Sequence, residues 1–454
     1  MGSPHQIPMT RPYIPHSEAD EKAMLATIGV DSIDDLFCEI PADLRVKGEL
    51  NVPASLDEHR LLGHLTDLSR RNKNCITDLV CFLGAGMYDR YIPASVGAII
   101  SRGEFLTAYT PYQPELSQGY LQTIYEFQSM VAELYGMDLA NASMYDGSTS
   151  MAEAAILAHG VNGRETIVVS QAVHPHYRQL LGTYAWSTDL RVSEIATPDG
   201  RTTDFSSLGE DTACVIVQYP NFFGQIEDLA AARDAARRVG ALFIVVADPT
   251  ACAILPPPGD FDADIVVGEG QPLGIAMGFG GPALGLLACK SEFVRKIPGR
   301  IVGRTQDKNG RPGFTMTLRT REQDIRREKA TSNICTNQAL MALASTVYMT
   351  AMGKVGMQSV ATSTVQNTQY AMKALTASGA KLRFGGKVFG EFVLDLPKQA
   401  VAVRDALLDK GVLAGLPLGE FYPGMENSLL VAVTEIRTKD QIDQYAAKLA
   451  EVLK

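Results

Sequence analysis

Between about residue 75 and residue 290 the chain alternates two patterns of apolar positions. The first is a short run that is apolar at nearly every position. It recurs as TIVVS (Thr166–Ser170), ACVIVQY (Ala213–Tyr219), LFIVVAD (Leu242–Asp248), DIVVG (Asp264–Gly268) and ALGLLACK (Ala283–Lys290). A strand with one wet face alternates apolar and polar residues, whereas a strand covered on both faces does not, so these runs read as interior strands. The second pattern places apolar residues three and four positions apart. Its clearest instance is GQIEDLAAARDAARRVG, with Ile226, Leu229, Ala236 and Val239 on one side and Gly240 as a stop. Strand and helix in alternation predict a mostly parallel, doubly wound α/β domain over residues 61–329. Ligands of such sheets bind at the carboxyl ends of the strands.

The flanks read differently. Residues 1–60 form an arm with too few apolar positions to fold alone. SEADEKAMLATIGV has helical spacing, Ser17 as N-cap and Gly29 as stop, and DSIDDLF starts a second short helix. Residues 330–454 combine a helix rich in small residues and Met, the strand-like KVFGEFVLDL and SLLVAVTEI, a helix in QAVAVRDALLDKG and a closing helix. This is a smaller C-terminal α+β domain.

Composition narrows the function. The 454 residues are 46% hydrophobic and 20% charged, an ordinary globular balance. The net charge of -10 argues against nucleic acid as the main partner. No apolar run approaches the roughly 18 residues of a membrane span. MGSPHQIPMTRPYIPH has no basic region followed by an apolar core, so it is not a secretory signal, and a cytoplasmic location is expected. The seven cysteines are widely spaced with no CxxC pair, and several lie in apolar runs, which reads as buried reduced thiols. His174 and His176 lie close together but have no further ligand motif nearby, so no metal site is expected.

Five stretches could carry chemistry. In YDGSTSMAEAAILAHG, Ser148 and Thr149 stand at a helix start, where free N–H groups either hold an anion such as phosphate or are simply capped. Asp248 ends a buried strand, either to engage a ligand or to cap a turn. GFGGPALG matches part of a dinucleotide fingerprint but precedes a strand instead of opening a helix, so a tight turn is the better account. In AYTPYQPELSQG, Tyr109, Thr110, Tyr112, Gln113 and Glu115 gather hydroxyls and an amide in a proline-studded loop, fit for a small polar substrate or for packing alone. Arg295 to Lys329 holds eleven basic and four acidic residues, read either as a solvated helical face or as a surface for an acidic partner or phosphate.

FLGAGMYDRYIPASV, AYTPYQPELSQG, EFQSMVAELYGMDLANAS and REKATSNICTNQAL together resemble the glycine decarboxylase P-protein of the glycine cleavage system, over essentially the whole chain. Length and start resemble the alpha chain of that family's two-subunit form. The resemblance implies the fold-type I pyridoxal phosphate architecture, that of aspartate aminotransferase. It implies decarboxylation of glycine, with the pyridine ring as electron sink, and transfer of the aminomethyl group to the lipoyl arm of the H-protein.

In enzymes of this fold the strand-end Asp pairs with the pyridine nitrogen and a loop lysine forms the imine. Counting back from Gly280, Gly281 and Pro282, the family's lysine falls on Gln271 and the preceding His on Gly270. An amide cannot form an imine. The resemblance therefore implies that the pyridoxal phosphate is bound by a beta partner in an α2β2 tetramer. The Tyr109–Glu115 loop is then what this chain lends to a shared site. Arg319, Arg321, Thr331, Ser332 and Asn333 are interface and phosphate-side candidates, and Ser148, Thr149, His174, Asp248 and Gln271 are a degenerate cofactor pocket. Two other readings are a purely structural or regulatory partner and a self-contained enzyme that uses another lysine such as Lys290.

Overall fold

Seven strands form the central sheet, in the order Leu139–Ala140, Gly285–Cys289, Ile265–Glu269, Leu242–Ala247, Thr212–Tyr219, Thr166–Ser170 and Arg191–Ile195. The last five run parallel. Gly285–Cys289 runs antiparallel to both of its neighbours. The apolar pattern alone did not distinguish its direction. The reason lies in its connection: segment 270–284 carries no helix, and a parallel return needs a crossover.

The structure, a computed structural model, describes residues 15–48 and 50–454. The chain divides into two compact units, Met1–Asn72 and Lys73–Lys454.

In the second unit, successive strand residues feed opposite cores, which is why the runs are apolar throughout. Val215, Val217, Phe243, Val245 and Val266 enter one core. Cys214, Ile216, Ile244, Val246 and Val267 enter the other. The helix Gln118–Tyr135 buries Ile124, Phe127 and Val131. The helix predicted from GQIEDL onward begins later, at Leu229. Asp228 accepts the Ala231 N–H at 3.0 Å as its cap, and Ile226 packs on the core from the preceding turn. The helical run Ala339–Ala377 is two helices joined at Gly353, whose φ of 59° suits glycine. Four antiparallel strands, Lys381–Leu382, Glu391–Asp395, Ser428–Ala432 and Leu416–Pro417, form a separate sheet. The helices Ala400–Asp409 and Lys439–Leu453 cover it, around Phe392, Leu394, Leu407 and Tyr445.

The first unit holds the helices Glu18–Ile28 and Glu58–Ser69 and the 3-10 turn Ile33–Phe37. Ser17 and Asp20 form a reciprocal cap, and Gly29 closes the first helix in the left-handed region, as the sequence predicts. None of its described residues is buried. Leu61, Leu62, Leu65 and Leu68 lie uncovered along one helix.

Among the described residues no helix is long and apolar enough to cross a membrane, and no group of three or more His, Cys, Asp or Glu side chains could hold a metal. Cys81, Cys214, Cys252 and Cys289 are buried, whereas Cys38 and Cys335 are exposed, and all are free.

Because residues 15–72 join no buried core, a chain beginning at Lys73 is expected to fold, with a melting temperature within about 2 °C of the full chain. Loss of its near-ultraviolet circular dichroism would show that the arm completes the fold.

Candidate functional site

The carboxyl ends of three adjacent parallel strands converge beneath one strap of chain. Thr212–Tyr219 brings Gln218, Leu242–Ala247 leads into Asp248, and Ile265–Glu269 ends at Glu269 and leads into Gln271. The strap is the segment from Gly84 to Tyr91, drawn from the FLGAGMYDRYIPASV motif. Gly84 must be glycine, since a Cβ there would come within 2.4 Å of Ala432 Cβ and 2.6 Å of Glu391 Oε1.

Gln271 is 3% exposed and fastens the strap. Its Oε1 accepts the Tyr88 N–H at 2.9 Å. Its Nε2 donates to the Tyr88 carbonyl at 3.0 Å and the Ile275 carbonyl at 2.7 Å. On the strap's other side, Glu391 accepts the Ala85 N–H at 2.7 Å and the Tyr88 hydroxyl at 2.8 Å. Burial pushes the Glu391 carboxyl up to about 7. Arg90 donates to Glu435 at 2.8 Å and lies 3.9 Å from Asp248.

His174 Nδ1 accepts the His176 N–H at 3.1 Å, so Nε2 carries the proton and donates to the Ala85 carbonyl at 2.8 Å. Burial holds this imidazole down to about 4, which keeps it neutral. Its ring stacks on Tyr177, with centroids 4.8 Å apart. Asp248 caps its own turn by accepting the N–H groups of Thr250 and Ala251 at 2.7 and 3.2 Å.

The helix Gly147–Asn162 points its N-terminus at the same place. Asp146 caps it, accepting the Thr149 N–H at 2.8 Å and the Ser148 hydroxyl at 2.5 Å. Glu269 accepts the N–H groups of Gly147 at 3.0 Å, Gln271 at 2.9 Å and Leu284 at 3.0 Å. Burial pushes its carboxyl up to about 7 despite these three donors, and Asp146 adds to the rise. The cavity left between Tyr88, Arg90, His174, Tyr177, Asp248 and Glu391 measures about 50 Å³, room for a few waters.

A second assembly centres on Arg300, which is 6% exposed. It donates to Thr110 Oγ1 at 3.0 Å, Thr336 Oγ1 at 3.3 Å, the Cys335 carbonyl at 2.9 Å and the Tyr112 hydroxyl at 3.5 Å. The guanidinium lies 5.5 Å from the Tyr112 ring centroid and 3.9 Å from Glu322. Tyr109 is exposed, as are Gln113 and Glu115. Arg319 pairs with Asp324, and Arg321 donates to the carbonyls of Leu318, Ile297 and Gly299. Ser332 Oγ accepts the Ile334 N–H, Asn333 accepts from Gln323, and Thr331 lines a cavity beside Arg321.

The predicted residues thus fall into two groups. His174 and Asp248 line the cavity with Gln271 beside it, while Ser148 and Thr149 turn onto Asp146. Thr110 and Tyr112 belong with segment 319–336 through Arg300. Lys290 lies at a strand end, paired with Asp262 at 2.6 Å and Asp264 at 2.9 Å. The sequence reading passed over Glu269, Glu391 and Arg300. The signal for each was a charged residue beside apolar runs, in VVGEG, FGEFVL and PGRIV, where burial demands partners.

A family model described as glycine cleavage system P-protein matches residues 11–449. The chain belongs to the glycine cleavage system P-protein family. It is 51% identical over 447 residues to the "Probable glycine dehydrogenase (decarboxylating) subunit 1" of Geobacillus kaustophilus (strain HTA426), covering 98% of this chain and 99% of that one. The protein of the same name from Brevibacillus brevis (strain 47 / JCM 6285 / NBRC 100599) is 49% identical over 444 residues, covering 97% and 98%. A crystal structure of glycine decarboxylase (P-protein) in inhibitor-bound form superposes with a TM-score of 0.88 at 42% identity, covering 97% of this chain and all of that one. At 15% identity and a TM-score of 0.66, sphingosine-1-phosphate lyase from Burkholderia pseudomallei shares the fold, over 90% and 93% of the two chains. The fold is that of fold-type I pyridoxal phosphate enzymes.

The residues of this P-protein cavity do not fit a pyridoxal phosphate held through an imine. Among the described residues no lysine lines it. The Gln271 amide is bonded to backbone. The helix N–H groups of Gly147 and Thr149 are bonded to Glu269 and Asp146.

Glu269 and Glu391 hold their protons to about pH 7 when folded, against about 4.5 unfolded, so their contribution to stability is full below pH 4.5 and is lost as pH rises through 7. Neutral His174, facing Ala85, His176 and Tyr177, acts oppositely, and its contribution is lost as pH falls from 6.5 toward 4. Calorimetry should therefore give a higher melting temperature at pH 6 than at pH 8. Glu391→Gln, still beside Asp248 and Arg90, should narrow that gap, and an unchanged gap would exclude Glu391 as its source. Separately, Arg300→Ala leaves the Thr110 and Thr336 hydroxyls and the Cys335 carbonyl without their donor and leaves Glu322 to Arg319, and should cost about 2 kcal/mol in urea unfolding. A loss below about 1 kcal/mol would mean that Arg300 is dispensable to this assembly.

Proposed function

We propose that this chain is subunit 1 of a two-subunit glycine decarboxylase of the glycine cleavage system, working with subunit 2 in an α2β2 complex. The observation that carries this reading is Gln271. It stands where the family resemblance expects the cofactor lysine, and its amide is built into the backbone of its own chain. Subunit 2 supplies the lysine. The names of the relatives from Geobacillus and Brevibacillus support a second subunit and a glycine decarboxylation role.

Pyridoxal phosphate, bound by subunit 2, supplies the electron sink for the glycine carbon that loses CO2. This chain shapes the shared site. Tyr109 and Gln113 face outward and Tyr112 is fixed against Arg300, so the loop Tyr109–Glu115 presents two phenols and an amide on a braced support. These groups bind and orient glycine and exclude water. Arg319, Thr331, Ser332 and Asn333 line the interface, with Arg321 shaping the turn beneath them. The lipoyl arm of the H-protein takes the aminomethyl group, and the complex is cytoplasmic.

The test uses the co-expressed complex. Tyr112→Phe or Gln113→Ala should lower glycine-dependent CO2 exchange about tenfold or more while the complex elutes intact on size exclusion. Unchanged rates in both variants would make this chain a scaffold or regulatory partner.

A further inference from the structure

Glu269 has a place in the fold that neither glycine decarboxylation nor the tyrosine loop uses. Its carboxylate is 8% exposed and gathers three backbone N–H groups from three separate segments. Gly147 opens a helix, Gln271 follows one strand, and Leu284 precedes another. Convergent N–H donors at the positive end of a helix make an anion seat. The seat is tight. A Cβ on Gly147 would approach the Tyr177 hydroxyl to 2.3 Å and the Glu269 nitrogen to 3.0 Å. The helix has no acidic residue in its first turn; Asp146 caps it, and the Glu269 carboxyl accepts the N–H of its first residue.

Resting on the reading that the cofactor belongs to subunit 2, we infer that the Glu269 carboxyl group is a resident acceptor that fills this seat and keeps phosphate-bearing ligands out of this chain. The missing lysine alone leaves a second route open: a phosphate group could still settle on free N–H groups and hold a cofactor without a covalent bond. Glu269 closes that route. The two substitutions divide the work, since the Gln271 amide replaces the reactive amine with a backbone clamp and the Glu269 carboxylate replaces the phosphate with a side chain. Gln271 alone would not exclude phosphate, and Glu269 alone would not prevent an imine. A small neutral side chain at position 269 leaves the donors in place and frees the seat.

The experiment uses full-length chains, with thermal unfolding in inorganic phosphate against chloride of equal ionic strength and borohydride trapping with pyridoxal phosphate. Wild type and Glu269→Gln should show no saturable rise in phosphate, because the side chain still fills the seat. Glu269→Ala should gain one, about 2 °C at a phosphate concentration tenfold above Kd. Gln271→Lys alone should trap no cofactor, whereas the Glu269→Ala, Gln271→Lys double variant should trap it on Lys at position 271 by peptide mapping. If Glu269→Ala folds poorly in chloride, phosphate should rescue it, and a chain rescued by neither buffer overturns the inference. So does a folded Glu269→Ala with no phosphate-dependent rise, a saturable rise in wild type, or trapping by Gln271→Lys alone. Cofactor trapped on a wild-type lysine would instead overturn the assignment of the cofactor to subunit 2.

Discussion

The organisation of the cavity depends on the paired hydrogen bonds between the Gln271 amide and the backbone of Tyr88. A carboxamide carries an acceptor and a donor side by side, so it can meet the N–H and C=O of one residue as a neighbouring strand would. A lysine offers only donors and could satisfy the carbonyl alone. With the strap fixed at Tyr88, Ala85 falls where its N–H meets Glu391 and its carbonyl meets His174, and Arg90 falls between Glu435 and Asp248. A change of one side chain thus reaches both the large sheet and the small one.

The electrostatics follow from that closure. Glu269 and Glu391 are buried, and Arg90, the cation that acts on Glu391, is itself held by Glu435. Burial disfavours the ionised form, so the two carboxyls titrate near neutrality instead of near 4.5. Each is nonetheless fully engaged by backbone N–H or hydroxyl donors, which is how a low-dielectric interior tolerates carboxyl groups.

Much of the fold was legible because burial on both faces of a parallel sheet leaves a continuous apolar run, and Thr166–Ser170, Thr212–Tyr219, Leu242–Ala247 and Ile265–Glu269 carry that mark. The direction of Gly285–Cys289 was not, because direction is set by the connection and not by the strand. At the site, Gln271 stood out only by comparison with the pattern of the family that the sequence resembles. Its bonds to Tyr88 lie 183 residues apart in the chain, beyond the reach of any local pattern. Glu269 and Arg300 were hidden differently: each is an ordinary charged residue in sequence, and its role comes from groups that only folding assembles around it.

A bound phosphate is held by mass action, and its contribution to a fold rises and falls with its concentration. A carboxylate at the end of a strand has no such dependence, because the backbone fixes its local concentration. With Glu269 hydrogen-bonded to the first residue of the helix Gly147–Asn162, that helix start is held by a group whose supply is the chain itself.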